Sequence, residues 1–485
     1  MDINVKPRAP TQAENDRQDH TALRVRMLTG RWDMDLEATL SEHLPPDRRE
    51  SWGPSDMSSN PFEQVVRQLA VLYDQPPTVT NEAADISPLV SRSGLLNRAG
   101  LWSLMARAQQ FIIGLRECII RVDVTPPSVE SAIEGSRLLY RIVTPDMVYC
   151  ESDSNRPDEP TYYRELRVRK NPMTGKQEWV YDVIDLRHPS NPLFGLYYAN
   201  NDGTLGEDVS ELYMGTPALI GEAYPYRDRE GRPFMPLVLY HAERTGALWD
   251  TYTGASGVWG SLSCGVLFSQ FLALSRDSSW AQKYIVGLSV SGLTQEAQND
   301  VSRRSSVTTD PSSILVFSQD PDANGQPLVG TFSPPVDPQA FLEAIVKYEY
   351  RIAQSSGIAT DILRVSGDPR SGYALSVSKA TQRESQKKFS VVQRTYDELL
   401  LAKTAMLCNR FLGLSLPESG YRVQYQSIPL SPEERTAQRT DIIEKLNNGL
   451  ISPIQAIQTL HPDLDEAEAI QYLERVRRER AQFLT

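Results

Sequence analysis

The chain has 485 residues, with 50 basic and 62 acidic side chains, a net charge of −12, and a 40% hydrophobic content that includes seven Trp and 21 Tyr. That composition predicts a folded protein of about three domains with a sizeable core. It argues against a bulk-basic nucleic-acid coat, while a local basic patch stays open.

Cys118, Cys150, Cys264 and Cys408 lie far apart without any CxxC spacing, so neither a zinc site nor a disulfide framework is expected. A reducing compartment fits this usage. The polar start, with no apolar core, does not read as a signal peptide. No apolar run is expected to reach the roughly 20 residues of a membrane span, so the expectation is a soluble chain with no membrane partner.

Residues 1–20 are polar and of mixed charge and read as a mobile arm. A short helix is expected within 24–44, before Pro45-Pro46, followed by a Gly/Pro/Ser-rich connector over 51–61. Asn60-Pro61 forms a helix start, with Asn as cap and Pro in the first turn; Phe62, Val65, Val66, Leu69 and Leu72 follow. A second helix is expected over 95–120. The period then changes to two: Ile120, Val122 and Val124, then Leu166 and Val168, then Trp179, Tyr181 and Val183 alternate with polar residues. The turn cluster Asn171-Pro172-Met173-Thr174-Gly175-Lys176 joins 162–169 to 177–186 as an antiparallel hairpin. Further strands are expected at 138–143, 193–198 and 235–240. Strands hung on helices in this order make an α+β fold.

Residues 248–287 read as a broadly apolar helical segment. Gly254, Gly257, Gly260 and Gly265 crowd its start and would let helices approach closely, although each weakens the helix by about 1 kcal/mol. A compact insertion follows over 284–335, with a strand at 314–317 and a turn at 320–327. An amphipathic helix over 337–355 carries Phe341, Ile345, Tyr348 and Ile352. After the polar loop 366–372, no Gly or Pro occurs until Gly413, which predicts a helix about 60 Å long. Phe389, Val392, Tyr396, Leu399, Met406 and Phe411 fall near one face of it. Seven basic residues (Lys379, Arg383, Lys387, Lys388, Arg394, Lys403, Arg410) stand against three acidic ones between Leu375 and Arg410. Two readings of this stripe stay open: a face that meets an acidic partner, or a solvated face beside acidic neighbours. A strand at 421–426 precedes helices begun by Ser431-Pro432-Glu433-Glu434 and Ser452-Pro453, and a last helix from 463–465.

Asp320-Pro321-Asp322-Ala323-Asn324-Gly325 begins like a calcium loop, but its twelfth position is Thr331 where a bidentate Glu is required; a turn is the better reading. Gly175-Lys176 has Lys170 where a phosphate-binding loop needs its first Gly, and Gln177 where it needs Ser or Thr. His20, His43, His188, His241 and His461 form no HExxH or other metal pair. Ser371 lacks the GxSxG elbow. No catalytic constellation, metal or cofactor is expected, and the chain does not read as an enzyme.

Ser371-Gly372-Tyr373-Ala374-Leu375, opening the long helix after Gly357-Ile358, and Gly449-Leu450-Ile451-Ser452-Pro453-Ile454-Gln455-Ala456 near the end resemble motifs of the portal proteins of tailed bacteriophages. The usual proline after Gly-Ile is replaced by Ala359. The order of elements over residues 60–480 carries most of the resemblance. It implies an N-terminal arm (1–59), an antiparallel β-rich wing (60–247), a stem helix (248–288) and a small α/β clip (289–335). A second stem helix (336–357), tunnel loop (358–372), long spine helix (373–414) and helical crown (415–485) would follow.

The implied function is a homo-oligomeric ring, a dodecamer in the family. Such a ring sits at one capsid vertex and conducts double-stranded DNA during packaging and ejection without reading its sequence. Implied partners are the major capsid protein, the large terminase subunit and a head–tail adaptor; the implied location is the virion, after assembly in the host cytoplasm. Within that scheme Arg364, Arg370, Lys379 and Arg383 are the expected DNA-channel contacts, since they sit in or just beyond the tunnel loop. The alternatives are a metal-dependent nuclease or hydrolase of α+β fold, or another minor head structural protein.

Overall fold

The computed structural model describes residues 11–44, 49, 53, 55–82, 84–125, 137–200, 203–213, 224–250, 255–279, 282–286, 314–317, 328–332, 337–355, 372–428, 432–460 and 466–483. They fall into two compact units, Met1–Leu363 with Ser385–Gln426, and Arg364–Glu384 with Ser427–Thr485. The fold is α+β.

In the larger unit, Thr11 caps helix α1 (Gln12–Leu28), its hydroxyl accepting from the Glu14 N–H at 3.3 Å. With α2 (Asp33–His43) it buries Met27, Leu28, Trp32, Leu36 and Leu40. Residues 11–20 are therefore not the mobile arm the sequence suggested; residues 1–10 lie outside the described residues. The polar face of α1 finds partners rather than water: Arg17 donates to the carbonyls of Pro145 and Val148 at 3.2 and 3.0 Å. Its guanidinium also lies 4.0 Å from the centre of the Trp249 ring.

Helix α3 (Pro61–Leu69) starts where Asn60 and Pro61 predict, with Asn60 Oδ1 accepting from the Glu63 N–H at 3.2 Å. Strand β1 (Thr78–Asn81) and the short helices α4 (Ser87–Val90) and α5 (Leu95–Arg98) lead to α6 (Leu101–Leu115). The single helix expected over 95–120 is broken twice. Gly100 takes φ 66° between α5 and α6, and Arg116 takes φ 75° after α6. A left-handed non-glycine residue costs about 1–2 kcal/mol. Arg116 is held there by Asp250 and Glu243, each 3.0 Å away. The apolar run continues through the break, which hid it from periodicity.

Strand β2 (Glu117–Thr125) pairs antiparallel with β3 (Arg137–Val143). A five-stranded antiparallel sheet follows in chain order: β4 (Val148–Asp153), β5 (Arg156–Lys170), β6 (Gln177–Asp185), β7 (Leu193–Ala199) and β8 (Leu205–Asp208). The predicted hairpin is its centre, with Leu166 opposite Tyr181 and Val168 opposite Trp179. After α7 (Ser210–Tyr213), β9 (Leu237–His241) closes the other side of β2. Arg121 of β2, 2% exposed, reaches Asp182 at 3.1 Å and Glu165 at 3.4 Å. Arg141 also binds Glu165, and Arg167 and Arg169 bind Asp182 at 3.0 and 2.9 Å.

Helix α8 (Ala255–Ser279) packs against α2, α3 and α9 (Pro338–Ser355). Its glycines work within the chain: a Cβ on Gly260 would stand 2.7 Å from the Ile352 side chain, and one on Gly265 would stand 2.9 Å from Leu36. Ser261 and Ser269 of the same helix accept from the backbone N–H groups of Phe62 and Asp56, at 2.9 and 2.8 Å. Among the described residues one helical stretch, Gly257–Arg276, is long and apolar enough to cross a membrane, and 56% of it is buried within this chain. That corrects the expectation that no apolar run reaches such a length. Its many Gly and Ser residues are small rather than charged, so they do not interrupt the apolar character.

Between α8 and α9 in sequence stands a separate three-stranded sheet, with β10 (Gln282–Val286) central, β11 (Ile314–Phe317) parallel to it and β12 (Leu328–Phe332) antiparallel. Helix α10 (Gly372–Leu412) follows, 41 residues long as its uninterrupted sequence predicts. Strand β13 (Tyr421–Gln424) pairs with β1. In the smaller unit, α11 (Pro432–Asn447), α12 (Pro453–Leu460) and α13 (Glu466–Phe483) follow one another, and α12 packs against its neighbours on either side. Gly449 takes φ 69° after α11. Ser452 and Gln455 cap α12 reciprocally, at 3.1 and 2.9 Å.

Candidate functional site: the long helix

The part of α10 that belongs to the larger unit, from Ser385 onward, has a buried stripe of Phe389, Gln393, Asp397, Leu400, Leu401, Thr404, Ala405 and Cys408. Their spacing of three and four keeps them on one face. The apolar face expected from the sequence is offset from this. Phe389 is buried, but Leu399 is 44% exposed, and Val392, Tyr396, Met406 and Phe411 are half-buried flanks. The shift arises because three polar residues occupy the centre of the stripe, each with a built partner.

Asp397 is the focus. Tyr73 donates to its carboxylate at 2.9 Å, Tyr240 of β9 at 2.8 Å, and Tyr425 at 2.6 Å. Tyr73 also lies 3.2 Å from the Gln393 carbonyl oxygen. Two turns further on the C-terminal side of Asp397, Thr404 and Tyr140 of β3 share a hydrogen bond of 2.9 Å. Tyrosines from four separate segments thus converge on one helix face. Burial pushes the Asp397 pKa up to about 6, while the three phenolic donors oppose the shift. Among the described residues no guanidinium or ammonium group stands among its hydrogen-bond partners, unlike Asp182 and Glu165.

Two further ionisable groups flank this seam. Lys403 is half-buried and its Nζ donates to the Leu237 carbonyl at 2.6 Å; desolvation lowers its pKa to about 8. His241, beside Tyr240, is buried with its ring 6.0 Å from that of Tyr396, and neither of its nitrogens has a hydrogen-bond partner. Desolvation lowers its pKa, which favours the neutral ring. On the outer side, Lys388 binds Glu243 at 2.6 Å, and Glu243 also holds Arg116. That pair answers part of the question about the basic stripe: Lys388 faces an acid of this same chain.

Of the four expected channel contacts, Arg364 and Arg370 lie outside the described residues. Lys379 lies on α10 with its side chain outside them, and Arg383 is half-buried on α10. The expectation for these four thus falls largely outside the described residues. What sequence reasoning missed is the tyrosine clasp. Its one sequence signal is Gln393 and Asp397 four residues apart, in register with Phe389 and Leu401.

No family model matches the sequence, and no curated protein matches it. A chain of the solved structure titled "Neck of native GTA particle computed with C12 symmetry" is similar to this one, with 13% identity over 84% of this chain and 94% of that chain, at a TM-score of 0.39. Among the described residues no group of three or more His, Cys, Asp or Glu is placed to hold a metal ion.

Proposed function

We propose that this chain is a portal protein of a tailed phage or phage-like particle: a ring of identical subunits at a unique capsid vertex through which double-stranded DNA is packaged and ejected. The observation that carries the reading is an order of elements. Helix α8 is followed by the small sheet β10–β12 and then by helix α9, which packs against α8. Then comes the Ser371-Gly372-Tyr373-Ala374-Leu375 motif at the start of a 41-residue helix, with a helical C-terminal unit after it. In this reading α8 and α9 are the stem, the segment between them is the clip that docks the large terminase subunit and later a head–tail adaptor, and α10 is the spine.

The function is passive. DNA must slide, so its contacts must be weak, sequence-independent and few, a demand an acidic chain meets with a small number of basic groups near the passage. Arg364 and Arg370 supply those contacts, with Lys379 and Arg383 behind them. The chain carries out no catalytic step, holds no cofactor, contacts the major capsid protein at the vertex, and needs no membrane.

The test is electron microscopy with native mass spectrometry of the purified full-length chain. Closed rings with a central hole, of one subunit number, are expected. A chain that stays monomeric across micromolar concentrations, or one that cleaves DNA in magnesium or manganese, overturns the reading.

A further inference from the structure

The five-stranded sheet carries unlike ends. At one end the β5–β6 hairpin exposes Val168, Met173 and Trp179, the last two being 82% and 51% exposed. Val168 and Trp179 face each other across the strands. Lys170 and Lys176 are exposed beside them. Arg167 and Arg169 are turned inward to Asp182, and Glu178 is held by Asn171 and by the Tyr213 hydroxyl, both at 2.9 Å.

The tip is rigid by construction. Buried Asn171 accepts from the N–H groups of Met173 and Thr174 at 2.8 and 3.1 Å, and Gly175 takes φ 70° to close the turn. A preorganised loop that exposes a Trp among lysines has the make-up of an anchor.

At the other end of the same sheet the β4–β5 turn exposes Asp153, Asp158 and Glu159; its base Arg156 binds Glu159 at 3.2 Å, which leaves two negative charges in excess. Exposed Pro157 and Leu193 add apolar surface there; Leu193 pairs with Asp185, which pairs with Tyr162. Glu151 and Asp185 are neutralised by Arg187 and take no part in the excess.

We propose that these two ends are one interface: the Lys170/Lys176/Trp179 tip of one copy seats on the Asp153/Asp158/Glu159 turn of the next. Strand β5 has 15 residues and is about 50 Å long, so tip and turn cannot meet within a chain. Complementary patches at opposite ends of a rigid strand make a heterologous, head-to-tail contact, the kind that builds a ring when the rotation between copies closes. This deepens the ring reading by naming a contact that builds it, and it rests on that reading.

The experiment uses the full-length chain with folding checked by circular dichroism. Two variants are made, one with Lys170→Glu and Lys176→Glu, the other with Asp158→Lys and Glu159→Lys. Each juxtaposes like charges between copies, so each alone should raise the concentration needed for assembly by about tenfold or more. Mixed in equal amounts they should assemble together, because the reversed tip of one fits the reversed turn of the other.

A second measurement mixes Met173→Cys with Asn155→Cys chains under mild oxidation. The four native cysteines are buried, so an inter-chain disulfide reports tip on turn. The interface is overturned, with the ring reading intact, if wild type forms rings and both variants assemble as it does. The same conclusion follows if the mixture fails to assemble, or if no cross-link forms in rings. A monomeric wild type instead sinks the ring reading and the interface with it.

Discussion

Asp182 in β6 and Asp397 in α10 are equally hidden from water, at 0% and 1% exposure, yet the chain treats them in opposite ways. Asp182 stands among Arg121, Arg167 and Arg169, and though burial pushes its pKa up, those charges bring it below the ordinary value. Asp397 stands among three phenols, and burial keeps its pKa well above that value. Charge compensation fixes the first region as an ionic cluster between two sheets. The second is a clasp without a countercharge, which tolerates an acid by surrounding it with uncharged donors. Removing one member of a balanced ion cluster strands its partners, whereas the acid of the clasp can become neutral in place.

The largest expected effect therefore lies in the sheets. Arg121→Met leaves Asp182, Glu165 and Asp123 short of a buried countercharge and should cost about 3–5 kcal/mol in chemical denaturation. A loss under about 1 kcal/mol would show that water reaches the cluster. Asp397→Ala comes next. It takes the acceptor from Tyr73, Tyr240 and Tyr425 and should cost about 3 kcal/mol, whereas Asp397→Asn, which keeps an acceptor and adds no charge, should stay within about 1 kcal/mol of wild type at neutral pH. If Asn proves as damaging as Ala, the charge itself is needed and the two regions are alike.

The pH dependence separates them further. The lowered pKa values of Asp182 and Glu165 mean that their contribution is present above about pH 4 and is lost as acid protonates them. Asp397 has the opposite sign. Its folded pKa of about 6 exceeds the ordinary 3.8, so the fold binds the proton more tightly than the unfolded chain does. Its favourable contribution is full below the ordinary value and is lost as pH rises towards 6. His241, with a lowered pKa, loses stability as pH falls below 6.5 and would mask this in wild type alone. The readout is thus a difference, the stability of Asp397→Asn minus that of wild type, which should climb between pH 4 and pH 6 and then level off. A flat difference would mean that Asp397 ionises as an exposed acid does.

The same contrast explains what the sequence made legible. Strands β5 and β6 and the full length of α10 follow from alternation and from an uninterrupted run without Gly or Pro. The ion cluster was not legible because Arg121, Glu165 and Asp182 sit on inward positions of strands, where a pattern reader expects apolar residues. The clasp was missed for the same reason on a helix, since Asp397 looks like a solvent residue until Tyr73, Tyr240 and Tyr425 are seen together. Helix α1 was lost because its buried face is short and its polar face is satisfied by Arg17 contacts from 128 and 131 residues away. Of the expected channel contacts, Lys379 and Arg383 lie on α10, and Arg364 and Arg370 lie outside the described residues.

Removing single donors sharpens the clasp. Tyr425→Phe keeps the ring that packs edge-on to Tyr73, with centroids 5.8 Å apart, and deletes only the hydroxyl. It should cost about 1 kcal/mol and move the Asp397 pKa further up, since a donor to the charged form is gone. Proton titration followed by carboxyl NMR would see that upward move. A downward one would mean that water replaces the lost donor and solvates the acid better than tyrosine did.

The smallest effect is expected on the outer face of the same helix, where Lys388 meets Glu243 at 2.6 Å with 61% and 42% of the side chains exposed. Exposed pairs of this kind contribute about 0–1 kcal/mol and are screened by salt. Glu243 keeps Arg116 as a partner when Lys388 is removed, so no buried charge is stranded. Lys388→Ala should therefore change stability by less than about 0.5 kcal/mol in low salt and by less still in 1 M salt. Thermal unfolding at the two salt concentrations measures both. A loss comparable to that of Asp397→Ala, persisting in high salt, would mean that α10 is held on its outer side by a desolvated ion pair, and the division between an ionic sheet region and a helix seam without a countercharge would fail.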